Sequence, residues 1–214
     1  MARSADAVIT VSPGAAKYLQ AWHDLEKVWV VRNTFAPVAS AHPPEVPRGI
    51  VYAGRISKGR DLETLFSAAE MSPSFALHLI GPADGTVAVP AFVHVHPSSG
   101  LDRVESLIGS QGIAAVPLER GPLNHEVALP NKLFEAVALG IPVMAADLPE
   151  IAAIVTEHRI GHLYQPGDSR SARAAIENIR ADYGTLLNNV AEARLLLTWS
   201  KDGATLTSLY ESLD

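Results

Sequence analysis

Residues 128–150 read "ALPNKLFEAVALGIPVMAADLPE". A Leu-Pro turn opens the stretch, one short helical pattern follows, and a glycine leads into an apolar run that ends on Asp-Leu-Pro-Glu. Pro130 suits the first turn of a helix, where an N–H is not needed, and Gly140 suits the left-handed residue just past its end. The spacing predicts a helix over 131–139 whose buried stripe is Leu133, Phe134, Val137 and Ala138. Asn131 and Glu135 are four residues apart and share a different face. "IPVMAA" is apolar at every position, which predicts a strand covered on both sides.

The same rhythm extends outward. Strands are predicted at 7–11, 27–31, "GIVYAG", "FALHLIG", "FVHVH", "GIAAVP" and "GHLYQ". Helices are predicted from Ser12 and Pro13 to about Trp22, over 61–70, 102–108 and 149–155, and along the tail from Ser169. Apolar strands separated by helices imply an α/β fold, a parallel sheet with helices on both faces. Ligands of such sheets bind at the carboxyl ends of the strands. The stretch "NTFAPVASAHPPEVPRG" carries four prolines and reads as a linker. The 35 or so residues before it form one β-α-β piece, too short for a domain, which either joins the main sheet or belongs to a larger missing domain.

The 214 residues are 48% apolar and 19% charged, enough for a sizeable core, and the net charge of −6 argues against broad nucleic-acid binding. With no cysteine, disulfides, thiolate metal sites and cysteine nucleophiles are excluded, and a cytoplasmic location fits. No apolar run reaches the ~18 residues of a membrane span, and "MARSADAVITVS" does not read as a signal peptide.

The chemistry is expected in two loops. In "VYAGRISKGRDLETL" the strand ends at Gly54, and Arg55, Lys58 and Arg60 follow within six residues. A glycine admits a ligand close to the backbone, the next helix aims free N–H groups at the loop, and three cations suit a diphosphate. A solvated basic turn explains the cations equally well, and the place at a strand's carboxyl end favours function. "GRISKGRD" approaches a Walker loop, but Arg60 and Asp61 replace its Lys and Ser/Thr, and an Asp beside phosphates would repel them. The second loop, 118–129, leads from "GIAAVP" to the helix at Asn131, whose free amides with Asn131 and Lys132 can bind an anion. Glu135, one turn deeper, can accept two hydrogen bonds from a vicinal diol such as a ribose. On physical grounds alone an exposed Lys132–Glu135 pair of little consequence is slightly favoured. His94 and His96 share a face of "FVHVH" without a third ligand in sequence, which makes a poor zinc site, and His96 falls where a base could lie. Trp22, Trp29 and Trp199 read as packing residues. No Asp-x-Asp metal motif, G-x-G-x-x-G or G-x-S-x-G is present, so metal-independent chemistry is expected.

"ALPNKLFEAVALGIPVMAADLPEI" closely resembles the donor-binding segment of the family-4 (retaining, group 1) glycosyltransferases of the GT-B fold. "YAGRISKGRDLETL" resembles that family's diphosphate loop. "ADAVITVSPGAAKYL" with "VWVVRNTF" resembles the last β-α-β of its N-terminal acceptor domain, Asn33 standing in the usual Pro-Asn position. "WSKDGATLTSLYESL" resembles its terminal helix, which crosses back to the first domain. The resemblance implies a Rossmann-like C-terminal half. It divides the chain into an acceptor-domain remnant (1–35), a linker (36–48), a nucleotide-sugar-binding domain (49–198) and a crossing helix (199–214). It implies that Arg55, Lys58 and Arg60 grip the diphosphate of a sugar nucleotide and that Glu135 holds its ribose. Gly54, Gly81, Pro82, His96, Leu129, Pro130, Asn131 and Lys132 complete the expected donor surface. In the family a leaving-phosphate oxygen helps to deprotonate the acceptor, with retention at the anomeric carbon. UDP-sugars are the commoner donors and GDP-sugars the alternative, with no metal and no tightly bound cofactor. Two departures stand out. The family often has a first Glu eight residues before the second, where this chain has Val127, with His125 and Glu126 out of register. The half that binds a sugar or lipid-linked acceptor, and through which such enzymes touch the inner face of the membrane, is absent. The chain alone is therefore expected to bind donor without transferring it, and to need an N-terminal domain or partner subunit. A non-catalytic nucleotide-binding module is the alternative; a sugar-nucleotide epimerase has the least support.

Overall fold

Of the apolar runs, those buried at every position become the middle of a sheet. The computed structural model describes residues 4–39 and 42–213. Residues 1–3, 40, 41 and 214 lie outside the described residues, at the edge of the expected first piece, in the expected linker and at the end of the expected last helix. In chain order the elements are β1 (Ile9–Thr10), α1 (Pro13–His23), β2 (Trp29–Val30), β3 (Gly49–Ala53), α2 (Leu62–Glu70), β4 (Ala76–Ile80), β5 (His94–His96) and α3 (Leu101–Gln111). There follow β6 (Gly112–Val116), α4 (Leu123–Glu126), α5 (Asn131–Ala138), β7 (Val143–Ala146), α6 (Pro149–His158), β8 (Gly161–Tyr164), α7 (Ser169–Leu196) and α8 (Trp199–Glu211). The sequence reading anticipated all of these within a few residues except α4.

Six strands form one parallel sheet in the order β5-β4-β3-β6-β7-β8. Renumbered from β3 this is 3-2-1-4-5-6, the Rossmann arrangement, in which the order reverses between the first and fourth strands. Successive residues of a strand face opposite sides, and Ile50, Val51 and Tyr52 are all below 2% exposed, so helices cover both faces of β3. The strands β6 and β7 are likewise buried throughout. The edge strand β5 is exposed at His94 and Val95. Helix α7 buries Ala172, Ala175, Ile176, Ile179, Tyr183, Leu186 and Val190, a stripe of helical period facing the core. Among the described residues no helix is long and apolar enough to cross a membrane.

Strands β1 and β2 pair only with each other, in a separate two-stranded parallel sheet. Ser12 caps α1 by accepting from the Ala15 N–H, as its sequence position predicts, and its hydroxyl donates to the Val127 carbonyl at 2.6 Å. Beyond the linker, α8 returns to this segment: the Trp199 N–H donates to the Phe35 carbonyl at 3.4 Å, and Asp202 accepts from Arg32 and Thr34. At the end of α5, Gly140 adopts φ +73°. Its N–H donates to the Val137 carbonyl and that of Ile141 to the Ala136 carbonyl, both at 2.9 Å. This pair of reversed bonds turns the chain directly into β7.

Asp61 ties two distant parts of the sheet's carboxyl end together. It stands before α2 with φ +51°, and its buried carboxylate accepts from Thr64 Oγ1 (2.6 Å), Tyr164 Oη (2.9 Å) and the Gly167 N–H (3.3 Å). The Asp that speaks against a Walker loop in sequence is thus turned inward, satisfied by Thr64 and by partners at the end of β8. Asp61→Ala removes the acceptor of all three and is expected to lower the unfolding free energy by about 2–4 kcal/mol. Urea denaturation reads this as an earlier midpoint, and an unchanged midpoint would contradict the role of Asp61 as a tie.

Candidate functional site

Where the strand order reverses, the chain leaves β3 and β6 in opposite directions and a crevice opens at their carboxyl ends. Its floor is glycine. Gly81, after β4, has φ +144°, and a Cβ there would lie 2.2 Å from the carbonyl oxygen of Gly54, the residue after β3. The Gly54 N–H in turn donates to the Ile80 carbonyl at 2.9 Å, so the two strand ends are laced together with no room for a side chain at Gly81. The Tyr52 hydroxyl donates to the Arg55 carbonyl at 2.7 Å and fixes the exit from β3.

The loop after Gly54 is held from both sides. The Lys58 N–H donates to Thr86 Oγ1 and the Gly59 N–H to Glu119 Oε1, each at 3.1 Å. Of the three cations in this loop, Arg60 lies nearest the crevice, where its charge acts on both Tyr52 and Lys132. Arg55 and Lys58 are exposed, and the charge of Arg55 acts on Asp84. The charge of Arg60 thus reaches Lys132, and Arg60 is half-buried where Arg55 and Lys58 are exposed.

Lys132 comes from the first turn of α5. Its Nζ stands 5.3 Å from the centroid of the Tyr52 ring, and its stem passes Gly54. Burial, reinforced by the neighbouring positive charge of Arg60 and partly offset by Glu135, brings its pKa down to about 8. Burial likewise pushes the Glu135 carboxyl up, opposed by Lys132 and aided by Glu105. The exposed ion pair that simple charge reasoning favours does not form: Lys132 and Glu135 are half-buried and make no ion pair with one another. Asn131, exposed at the start of α5, accepts from Asn33 Nδ2 at 3.4 Å. Pro130 is the residue before the first turn, and Leu129 is buried beneath it.

Glu135 lines a hollow of about 300 Å³ with Gly54, Gly81, Pro82, Ser98, Ser99, Leu101 and Val104. Behind it, an apolar chamber of about 230 Å³ between α3, α5 and Phe35–Val38 shares Leu101, Val104 and Glu135 with the hollow. That apolar backing is why Glu135 is poorly hydrated. His96, two residues before Ser98, is not among the residues that line the hollow. Its Nε2 lies 3.0 Å from His78 Nδ1 and its ring stacks on that of His78, at the sheet edge. Among the described residues no group of three or more His, Asp or Glu side chains is placed to hold a metal ion. Sequence reasoning missed Ser98, Ser99, Leu101, Val104, Tyr52 and Glu119. The small residues of "HPSSG" after a strand were the available signal for the serines. Tyr52 reads only as core, and Glu119 only as loop.

Comparison with known proteins adds a family. A model of the glycosyl transferases group 1 matches residues 47–182. No curated protein matches the chain. Among solved structures, a sucrose-phosphate synthase from Thermosynechococcus elongatus superposes with a TM-score of 0.79 at 24% identity, over 98% of this chain and 59% of that one. The pneumococcal O-GlcNAc transferase GtfA, solved with UDP and GlcNAc, gives 0.76 at 11% identity, over 99% and 46%. Anabaena HepE, solved with UDP, gives 0.74 at 16% identity, over 98% and 65%. The chain thus spans less than two thirds of each, and at these identities the likeness establishes the shared GT-B fold.

A lysine held near pH 8 by burial is charged at a cost. Below about pH 8 it is protonated folded and unfolded alike, and the burial penalty is felt in full. Between about 8 and its ordinary pKa the unfolded chain binds more protons, so stability rises with pH. Lys132→Met, which keeps the stem, is expected to stabilise the chain at pH 7 by about 1–2 kcal/mol and to abolish that rise. Urea denaturation at pH 7 and 9.5 measures both, and a less stable variant at pH 7 would contradict the assignment.

Proposed function

This chain belongs to the group 1 glycosyl transferases, and from that premise we propose that it is the donor-binding portion of a retaining, family-4-type enzyme. The reading is supported by the charges of Arg60 and Glu135 both acting on Lys132, whose stem passes Gly54, while Glu135 lines the hollow with Gly54 and Gly81 beside the reversal of the strand order. A nucleoside diphosphate sugar suits that arrangement. Its diphosphate meets Arg60, Lys132 and the free amides of α5, its ribose meets Glu135, and its base lies over Gly81, Pro82 and the serines beyond β5. Two of the similar proteins were solved with UDP, which supports a UDP-sugar ahead of a GDP-sugar. Arg55 and Lys58, long and exposed, serve as outer contacts to the same anion.

The chemistry follows from charge. As the bond between the anomeric carbon and the β-phosphate oxygen breaks, its electron pair stays on that oxygen and positive charge grows on the sugar. Arg60, the poorly hydrated Lys132 and the α5 amides stabilise the leaving diphosphate. The acceptor hydroxyl bonds to the anomeric carbon from the same face, and its proton passes to a leaving-phosphate oxygen. No nucleophile from this chain enters.

In this reading residues 1–35 belong with an acceptor domain, 36–48 link it, 49–198 bind the donor and 199–214 cross back. The sugar or lipid-linked acceptor is supplied through an N-terminal half or a partner subunit, so this chain alone binds donor without transferring it. The location proposed is the cytoplasm, including the inner face of the membrane.

Titration calorimetry with UDP and with pyrophosphate tests the assignment. Arg60→Ala is expected to weaken UDP binding by about 1.5–3 kcal/mol, the scale of a hydrogen bond to a charged group. Glu135→Ala is expected to weaken UDP and spare pyrophosphate; equal losses for both ligands would remove the ribose role. Unchanged UDP affinity in Arg60→Ala would remove Arg60 from the site.

A further inference from the structure

The last helix of the chain reaches the crevice through a single carboxylate. Asp202, in the first turn of α8, is 5% exposed and uses both oxygens on one short segment. Its Oδ1 accepts from Arg32 Nε at 3.0 Å and its Oδ2 from Thr34 Oγ1 at 2.8 Å. The Trp199 N–H holds the next residue, Phe35, by its carbonyl at 3.4 Å. The residue between the two clamped side chains, Asn33, points away from Asp202 and towards α5. It is exposed, and its Nδ2 donates to Asn131 Oδ1 at 3.4 Å. Asp202 and the residues it grips are about 170 positions apart in sequence, so this is a tertiary clasp and not a local turn.

A half-buried arginine and a buried threonine on one carboxylate leave residues 32–34 little freedom. The backbone on either side of Asn33 is therefore held by α8, and Asn33 in turn meets the amide of Asn131 at the start of α5. We propose that Asn33 is a positioning residue for the diphosphate side of the donor site, and that the Asp202 clasp holds it there. The terminal helix is thereby coupled to donor binding without touching the donor. This rests on the donor-site reading above. Its distinguishing consequence is that loss of the clasp affects the phosphates and spares the nucleoside.

The test compares N33A, D202N and the double variant for binding of UDP and of uridine, by NMR titration of the full chain. N33A is expected to weaken UDP about five- to tenfold, as for one lost polar contact, and to leave uridine within about twofold. D202N is expected to do the same, and the double variant to be no weaker than N33A alone, because both act through one path. Should D202N fail to fold, T34V removes one arm of the clasp and keeps the Arg32–Asp202 pair, with a smaller loss in the same direction. A second measurement needs no ligand: D202N or T34V should shift the side-chain amide resonances of Asn33 and Asn131 together. Equal loss of UDP and uridine, additive effects in the double variant, or unmoved Asn33 and Asn131 resonances would overturn the proposal. If the unaltered chain binds no UDP, the donor-site reading fails, and the ligand-free resonances still decide whether the clasp sets Asn33.

Discussion

In a parallel sheet each connection must cross to another strand, and at the pair β3 and β6 the crossings leave towards opposite edges. Nothing in the backbone can fill the space between them. The crevice is thus a consequence of strand order, and the side chains only decide its chemistry. Here its floor is two glycines whose backbones touch, and its wall is the first turn of a helix with unpaired amides. The tie at Asp61 and the bonds from Gly59 and Lys58 fix the loop beside it.

What gathers there is charge in poor contact with water. Lys132 is held down towards neutrality and Glu135 held up, both chiefly by burial, and the Arg60 charge makes the lysine's case worse. They do not relieve one another by forming an ion pair. Such an arrangement stores an unmet demand. On the proposed reading a diphosphate answers the cations and a diol the carboxylate, so a ligand that carries both gains what the free protein lacks. An apolar core of the same shape would be more stable and would bind nothing.

The strands were legible because they are short apolar runs between helical patterns and turn residues. The turn at Gly140 was legible because only a left-handed residue joins α5 to β7 in so few steps. Lys132 and Glu135 could be placed on α5 from spacing alone. The rest depends on contacts far apart in sequence. The inward turn of Asp61 needs Tyr164 and Gly167, and the turn of His96 towards His78 needs the register of β4 and β5. The anchoring of the cation-bearing loop by the Lys58–Thr86 and Gly59–Glu119 bonds is announced by no local pattern. Helix α4 spans only four residues and makes no periodic signal of its own. The clasp of Asp202 on Arg32 and Thr34 joins the two ends of the chain and is invisible until they meet.

A crystal structure of the chain with UDP bound tests this convergence most directly. The expected density puts the diphosphate within hydrogen-bond reach of Arg60, Lys132 and the first amides of α5, and the ribose hydroxyls on Glu135. A nucleotide lying outside the crevice, or a diphosphate held only by Arg55 and Lys58 on the outer surface, would contradict it.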